Sequence, residues 1–148
     1  MFDRAKIVDE NFLLLIKNEN LPSSKSELNL SDTNFSSEDL ISVFESQVIS
    51  RHMDLKARNL KNEGKCFYTI GCSGHEGNAV FGKVFQIKDM AFLHYRSAPL
   101  FIERSKKLNG TSPIYDLALS FMASSDDPIS GGRHKVIGSK EIENVYIE

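Results

Sequence analysis

Three consecutive residues that follow a short apolar run have the side chains best suited to chemistry in this sequence: His94, Tyr95 and Arg96. A guanidinium offers a fixed fork of N–H donors that matches phosphate oxygens, and a neighbouring phenol can donate one more hydrogen bond. His94 either joins such a site, transfers a proton or satisfies a hydrogen bond at a strand end. The pattern predicts a site for an anionic, phosphate-bearing ligand. The alternative is an aromatic strand end with a surface arginine paired to an acid.

Glycines precede this cluster and allow close approach of the backbone to a ligand or a neighbouring element; they are Gly71, Gly74, Gly77 and Gly82. Ser73 followed by Glu76 has the spacing of a capping box, which predicts the start of a helix over about 74–85. This makes Glu76 a structural cap, while His75 is either a helix-start residue or a ligand. Because glycine costs helix stability, we expect this helix to pack closely against a neighbour.

The remaining candidates for chemistry are weaker. Cys66 and Cys72 fit neither a disulfide framework nor a zinc motif, because two thiols alone do not fill a tetrahedral site. Asp126 and Asp127 are typical of a turn rather than of a magnesium site, which needs more converging oxygens. The glycine pair before Arg133 is either a phosphate loop or a flexible turn. The residues themselves therefore predict no metal site.

Composition excludes several classes of function. The chain has 148 residues, 41% of them hydrophobic, which suits one domain of ordinary size. A net charge of −2 argues against a nucleic-acid partner bound through a broad basic face. The longest apolar run, 12–16, is far too short to span a membrane, and no secretory signal is evident. With two cysteines and no disulfide pattern, we expect a cytoplasmic protein.

The elements that must position these residues are mainly helices. Residues 1–20 are predicted to form an N-terminal helix capped by Asp9. We expect the dense apolar run of this helix to dock on another surface. Residues 21–37 are predicted to form a polar linker. A capping box from Ser36 to Asp39 starts a long helix that Gly64 stops near residue 62. The apolar residues of this helix recur at steps of three and four, so we expect them to form its packed face: Leu40, Ile41, Phe44, Val48 and Leu55.

Further helices are predicted from Pro99 and from Pro113, and Lys106 and Lys107 are expected to form a solvated helix end. The second of these helices carries a broad apolar face over 114–122. Short strands are predicted at 67–70, 91–95 and 144–147. Isolated strands need partners, so this pattern predicts a mostly helical body whose sheet is incomplete.

Four pieces of the chain, in order, resemble a known family: residues 64–68, 74–77, 95–96, and 126–128 with 131–133. The family is the alpha subunit, or alpha half, of the thiamine diphosphate-dependent first component of 2-oxoacid dehydrogenase complexes. The similarity is greatest to the branched-chain, 2-oxoisovalerate group and covers about residues 50 to 148. It implies that 38–148 is the incomplete N-terminal part of an α/β thiamine diphosphate-binding domain, mostly α with few short strands.

The resemblance also implies roles for particular residues. Tyr95 and Arg96, with His94 beside them, would bind the cofactor diphosphate, and Phe67 and Tyr68 would line the substrate pocket. The implied activity is oxidative decarboxylation of a 2-oxoacid, as in branched-chain amino acid catabolism, with acyl transfer to a lipoyl-bearing acyltransferase. A beta subunit or beta half and an oligomeric assembly are the other implied partners, and magnesium accompanies the cofactor.

The sequence departs from the family pattern in several places. His75 stands where the family has glutamine, and His134 begins a stretch that replaces Gln-Met-Pro. The Gly-Asp-Gly motif that binds magnesium is missing, and the family's activating carboxylate belongs to the beta half. We therefore expect 1–148 to be inactive alone, as a segment of a longer enzyme or a truncated product. The alternative is a non-enzymatic helical module that binds a partner through the apolar faces over 12–16 and 114–122.

Overall fold

A computed structural model describes residues 4–23, 28–133, 137 and 145–146, and most of the described residues are helical. The helices are α1 (Arg4–Lys17), α2 (Ser37–Asn62), α3 (Ala79–Val84), α4 (Ala98–Ser105) and α5 (Pro113–Phe121). Short 3-10 turns span Leu30–Asp32 and Glu76–Asn78, and the strands are β1 (Phe92–Leu93) and β2 (Val145–Tyr146). Within the described ranges, none of the helices combines the length and apolar character needed to cross a membrane.

The chain divides into two compact units, Met1–Asn34 and Phe35–Glu148. The first unit contains α1, which begins at Arg4, so Asp9 lies inside the helix and its predicted role as the cap is wrong. The apolar side chains of α1 are exposed, and the large ones in its second half are Phe12, Leu13, Leu14, Leu15 and Ile16. The structure therefore does not show the docking that the sequence predicts for residues 12–16.

The second unit starts with α2, whose ends are those predicted from the sequence. Ser36 Oγ accepts the Asp39 N–H at 3.1 Å, and the Asp39 carboxylate accepts the Ser36 N–H at 3.0 Å, which confirms the capping box. At the other end Gly64 has φ 74°, the left-handed conformation that favours glycine. The Lys65 N–H then donates to the Leu60 carbonyl at 2.8 Å and closes the helix.

The buried face of α2 is not the one that the apolar pattern predicts. Phe44 and Ile41 are 64% and 67% exposed, so the predicted packed face is wrong for the first half of the helix. The buried residues are instead mostly small or polar: Val43, Ser46, Ser50, Asp54 and Ala57. Small side chains let a second helix approach closely, and the buried polar groups gain hydrogen bonds there.

That second helix is α4, and all its residues from Ala98 to Ser105 are buried. It also packs against α3 at Gly82, where an added Cβ would lie 2.5 Å from the Leu100 carbonyl oxygen. This confirms the predicted close packing. The core around α4 contains Phe101, Ile102, Leu117, Phe121 and Ile137.

Glu103 of α4 has a buried carboxylate held by side chains from α2 and from its own helix end. Ser46 donates to it at 2.6 Å and Ser42 at 3.0 Å. Lys106 Nζ lies 3.2 Å from it and also pairs with Glu45 at 2.8 Å. The Lys106–Lys107 end is thus exposed but is not simply solvated, because Lys107 Nζ also donates to the Lys83 and Phe85 carbonyls at the C-terminal end of α3.

Helix formation after the glycine-rich stretch is shorter than predicted. The Glu76–Asn78 turn and α3 replace one helix over 74–85, and the predicted capping box is wrong. The Glu76 carboxylate accepts the Gly74 N–H at 2.7 Å, while Ser73 Oγ accepts from the Arg51 guanidinium at 2.9 Å. Ser73 is therefore used to tie this loop to α2.

Strand structure is sparse in the described residues. β1 pairs in parallel with β2, with Phe92 opposite Val145, and this two-residue ladder is the only pairing in that part of the chain. The predicted strand over 67–70 is not formed. Instead the Phe67 N–H donates to the Phe121 carbonyl at 3.3 Å, so this segment runs irregularly along the end of α5.

Candidate anion-binding site

The three residues singled out in the sequence lie on a tight turn between β1 and α4. The Ser97 N–H donates to the His94 carbonyl at 2.8 Å, and Ser97 Oγ accepts the His94 N–H at 3.2 Å. Ser97 is buried, whereas Tyr95 and Arg96 are half-buried and His94 is exposed. The strand and the fully buried helix thus fix both ends of the turn, while its side chains stay within reach of a ligand.

The Arg96 guanidinium is held in place rather than extended into solvent. Its Nη1 donates to the Gly71 carbonyl at 2.6 Å, and its central carbon lies 5.3 Å from the centre of the Tyr95 ring. A guanidinium carries five N–H groups in a planar fork. Anchoring by one of them orients the others, which is the arrangement that suits bidentate binding of an anion.

Asp54 of α2 fixes the loop to which Arg96 is anchored. Its carboxylate is buried and accepts the Cys72 N–H at 2.7 Å. A Cβ at Gly71 would lie 2.5 Å from the same carboxylate, so any other residue there would have to displace the Asp54 side chain. Asp54 was not predicted as a site residue from the sequence; the available signal was its spacing from Ser46 and Ser50, at steps of four along the buried face of α2.

Two imidazoles and two phenols meet beside the turn. The His75 and His94 rings lie edge to face, with centroids 6.0 Å apart, and His94 lies 5.5 Å from the Tyr95 ring. The Tyr68 ring lies 5.8 Å from the Tyr95 ring. His75 and Tyr68 are thereby brought to the predicted cluster from two separate stretches.

The hydrogen bonding of His94 defines its protonation. Its Nδ1 accepts the Arg96 N–H at 3.1 Å, which assigns the ring proton to Nε2 and leaves the imidazole neutral. Although the His94 side chain is largely exposed, partial desolvation of its ring lowers its pKa below the ordinary value, and the neighbouring His75 and Arg96 lower it further. The neutral ring can donate from Nε2 to an anion.

The other candidate residues lie away from this cluster. Phe67 is 72% exposed, so only Tyr68 of the predicted substrate pair reaches the site. Asp127 is buried and accepts from Ser130 Oγ at 2.5 Å, which confirms a turn. Arg133 Nε donates to the Ser130 carbonyl at 2.9 Å. His134 lies outside the described residues.

An open apolar groove of about 410 Å³ begins at His94 and runs between α3, β1 and α4. Its largest lining side chains are Phe81, Phe85, Met90, Phe92 and Leu100. A search of the described residues for three or more metal-binding side chains in one place finds no such group. The cluster therefore offers hydrogen-bond donors and aromatic surface, with apolar surface next to it, which are properties suited to binding an organic anion.

Comparisons with protein-family models, curated protein sequences and solved structures find no match for this chain. The interpretation of the site thus rests on its geometry and on the motifs described above.

Proposed function

We propose that Tyr95, Arg96 and His94 bind the diphosphate group of thiamine diphosphate. The observation that carries the proposal is the anchored turn. Arg96 is tied to the Gly71 carbonyl, and both its guanidinium and the His94 imidazole lie beside the Tyr95 ring. Such a preformed set of donors favours phosphate oxygens, because little side-chain entropy is lost on binding.

We further propose that the chain contributes this site to the decarboxylating first component of a cytoplasmic 2-oxoacid dehydrogenase complex with a branched-chain substrate. Thiamine diphosphate, when bound, supplies the electron sink for loss of carbon dioxide. Tyr95 and Arg96 orient it through its diphosphate, and Tyr68 borders the same cluster and is the better placed of the two predicted substrate residues. Magnesium, a beta half, a lipoyl-bearing acyltransferase and an oligomeric assembly belong to this proposal through the sequence resemblance.

Calorimetric titration of the 148-residue chain with inorganic diphosphate and with thiamine diphosphate tests the site. Replacing Arg96 with alanine removes charged hydrogen bonds worth about 1.5–3 kcal/mol, so affinity should fall about tenfold to a hundredfold. Arg133→Ala is the matched control, because Arg133 is exposed and belongs to the alternative phosphate loop. Unchanged affinity in Arg96→Ala, or equal loss in Arg133→Ala, would contradict the proposal.

The same chain is expected to show no turnover of 2-oxoisovalerate, because the motifs for magnesium and for cofactor activation are missing from its sequence. A spectrophotometric assay of decarboxylation with thiamine diphosphate and magnesium measures this. Cofactor-dependent turnover by residues 1–148 would show that the site is more complete than proposed.

A non-enzymatic interaction module is the second candidate, and exposed apolar side chains on α5 favour it. Ile114 is 48% exposed and Tyr115 is 62% exposed. A module would not bind diphosphate, and it would associate with itself or with a partner through this face. Sedimentation of the wild-type chain and of an Ile114→Ser, Tyr115→Ser variant, beside the titration above, separates the two functions.

A further inference from the structure

His75 has no assigned role, yet its ring meets that of His94 edge to face at 6.0 Å. His75 comes from the loop before α3, while His94 lies on the turn before α4. We propose that His75 and His94 form an imidazole pair that takes up a proton when a diphosphate-type anion binds beside Arg96. This inference rests on the proposed diphosphate site and adds His75 to it.

The free site disfavours protonation of His94 for a geometric reason. His94 Nδ1 accepts the Arg96 N–H, and a doubly protonated imidazole has no acceptor to offer. A positive charge on His94 would also face His75 and Arg96. The pKa of His94 is lowered accordingly, first by burial and then by these two neighbours.

Charged groups of both signs lie around the pair. From α2, Arg51 reaches the His75 loop through Ser73 Oγ at 2.9 Å, and Arg96 lies on the His94 turn. The same loop and α2 also carry the carboxylates of Asp54 and Glu76. Each accepts a backbone N–H of the loop at 2.7 Å.

The other titratable groups at the pair are the phenols of Tyr68 and Tyr95, which are neutral at physiological pH. An anion with two or more negative charges that binds beside Arg96 makes the local field more negative. A nearby negative charge favours the imidazolium form and raises the pKa of His94.

Anion binding and protonation of His94 therefore favour each other. The pKa of His94 is low in the free protein and higher in the complex. Binding therefore takes up a proton at pH values between these two pKa values. Affinity then rises as the pH falls through that window, by about tenfold for each unit of difference between the two pKa values. Above the window His94 stays neutral in both states, and the coupling disappears.

Calorimetric titration with inorganic diphosphate between about pH 6 and pH 8 measures the coupling, because heats in buffers of different ionisation enthalpy give the number of protons taken up. Diphosphate itself titrates in this range, so wild type is compared with His75→Gln and His94→Gln at the same pH. His52→Gln is the matched control, since His52 is an exposed histidine on α2. Thermal melting of each variant checks that it is folded.

We expect wild type and His52→Gln to take up more protons than His75→Gln and His94→Gln, by up to one proton. Sulfate, whose charge is constant in this range, should bind more tightly at low pH to wild type than to either variant of the pair. Equal proton uptake in wild type and in both variants of the pair would overturn the inference while leaving the diphosphate site intact. If wild type binds no diphosphate, the proposed function and this inference both fall.

Discussion

Replacing Gly82 with alanine should destabilise the protein, although the same change in an ordinary helix is stabilising. Gly82 lies in α3, where alanine is favoured over glycine by about 1 kcal/mol. An added Cβ would lie 2.5 Å from the Leu100 carbonyl oxygen, 2.9 Å from Glu103 Cβ and 3.1 Å from the Arg104 nitrogen. Two of these three atoms belong to the α4 backbone, so a flexible side chain cannot relieve the contact by rotating.

The magnitude follows from these opposing effects. Overpacking a close-packed interior costs about 1–3 kcal/mol, and separations this short place Gly82 toward the upper end. After the gain in helix propensity, we expect a net loss of about 1–2 kcal/mol in the free energy of unfolding. For a domain of this size that corresponds to a melting temperature lower by about 3–8 °C.

Urea denaturation and thermal melting, both followed by circular dichroism, measure the change. Gly77→Ala is the control, because Gly77 precedes the same helix, has an ordinary backbone conformation and has no atom within 4 Å of an added Cβ. It should be neutral or slightly stabilising. A Gly82→Ala protein as stable as wild type, or more stable, would refute the close approach of α3 and α4.

Three further predictions concern buried and paired carboxylates. Glu103→Gln should lower the free energy of unfolding by about 1–3 kcal/mol in urea, because hydrogen bonds to a buried charge are weakened, while the exposed Glu38→Gln should be neutral. Asp54→Ala should lower the free energy of unfolding by about 1–3 kcal/mol, because the buried Cys72 N–H loses its acceptor. It should also weaken diphosphate binding in calorimetry, because this N–H belongs to the loop that anchors Arg96, and unaltered binding would contradict this. A side-chain hydrogen bond from Lys83 holds the pKa of Asp39 below its ordinary 3.8. The ionised Asp39 therefore contributes stability above pH 3.8, and this contribution is lost as the pH falls through the lowered pKa. Acid titration of stability should therefore be steeper in wild type than in Asp39→Asn, and equal slopes would argue against the pair.

Local signals in the sequence predict the ends of elements well. The Ser36–Asp39 capping box and Gly64 define α2, and prolines open α4 and α5 as expected. These signals act within one turn of backbone, so distant parts of the chain hardly change them. The Ser73 and Glu76 pair shows the limit, because a nearby arginine on α2 takes the serine and leaves no cap.

The candidate site was only partly predictable. His94, Tyr95 and Arg96 are adjacent in the chain, so their types alone indicate an anion site. His75 and Tyr68 join them only because the loop is folded back onto the turn, through the bond from Arg96 to the Gly71 carbonyl. A contact between residues far apart in the sequence leaves no local sequence pattern, because each of the two residues could equally serve a purely local structural role.

The sequence by itself determined the ends of α2 and the starts of α4 and α5, a mostly helical structure, and which three consecutive side chains are suited to an anion. The tertiary structure decided which side of α2 is buried. Apolar periodicity identifies a face but not its partner. The side turned inward is the one whose small residues allow α4 to approach and whose serine hydroxyls satisfy the buried Glu103 carboxylate. Desolvating that carboxylate without those donors would cost more than exposing a few apolar side chains.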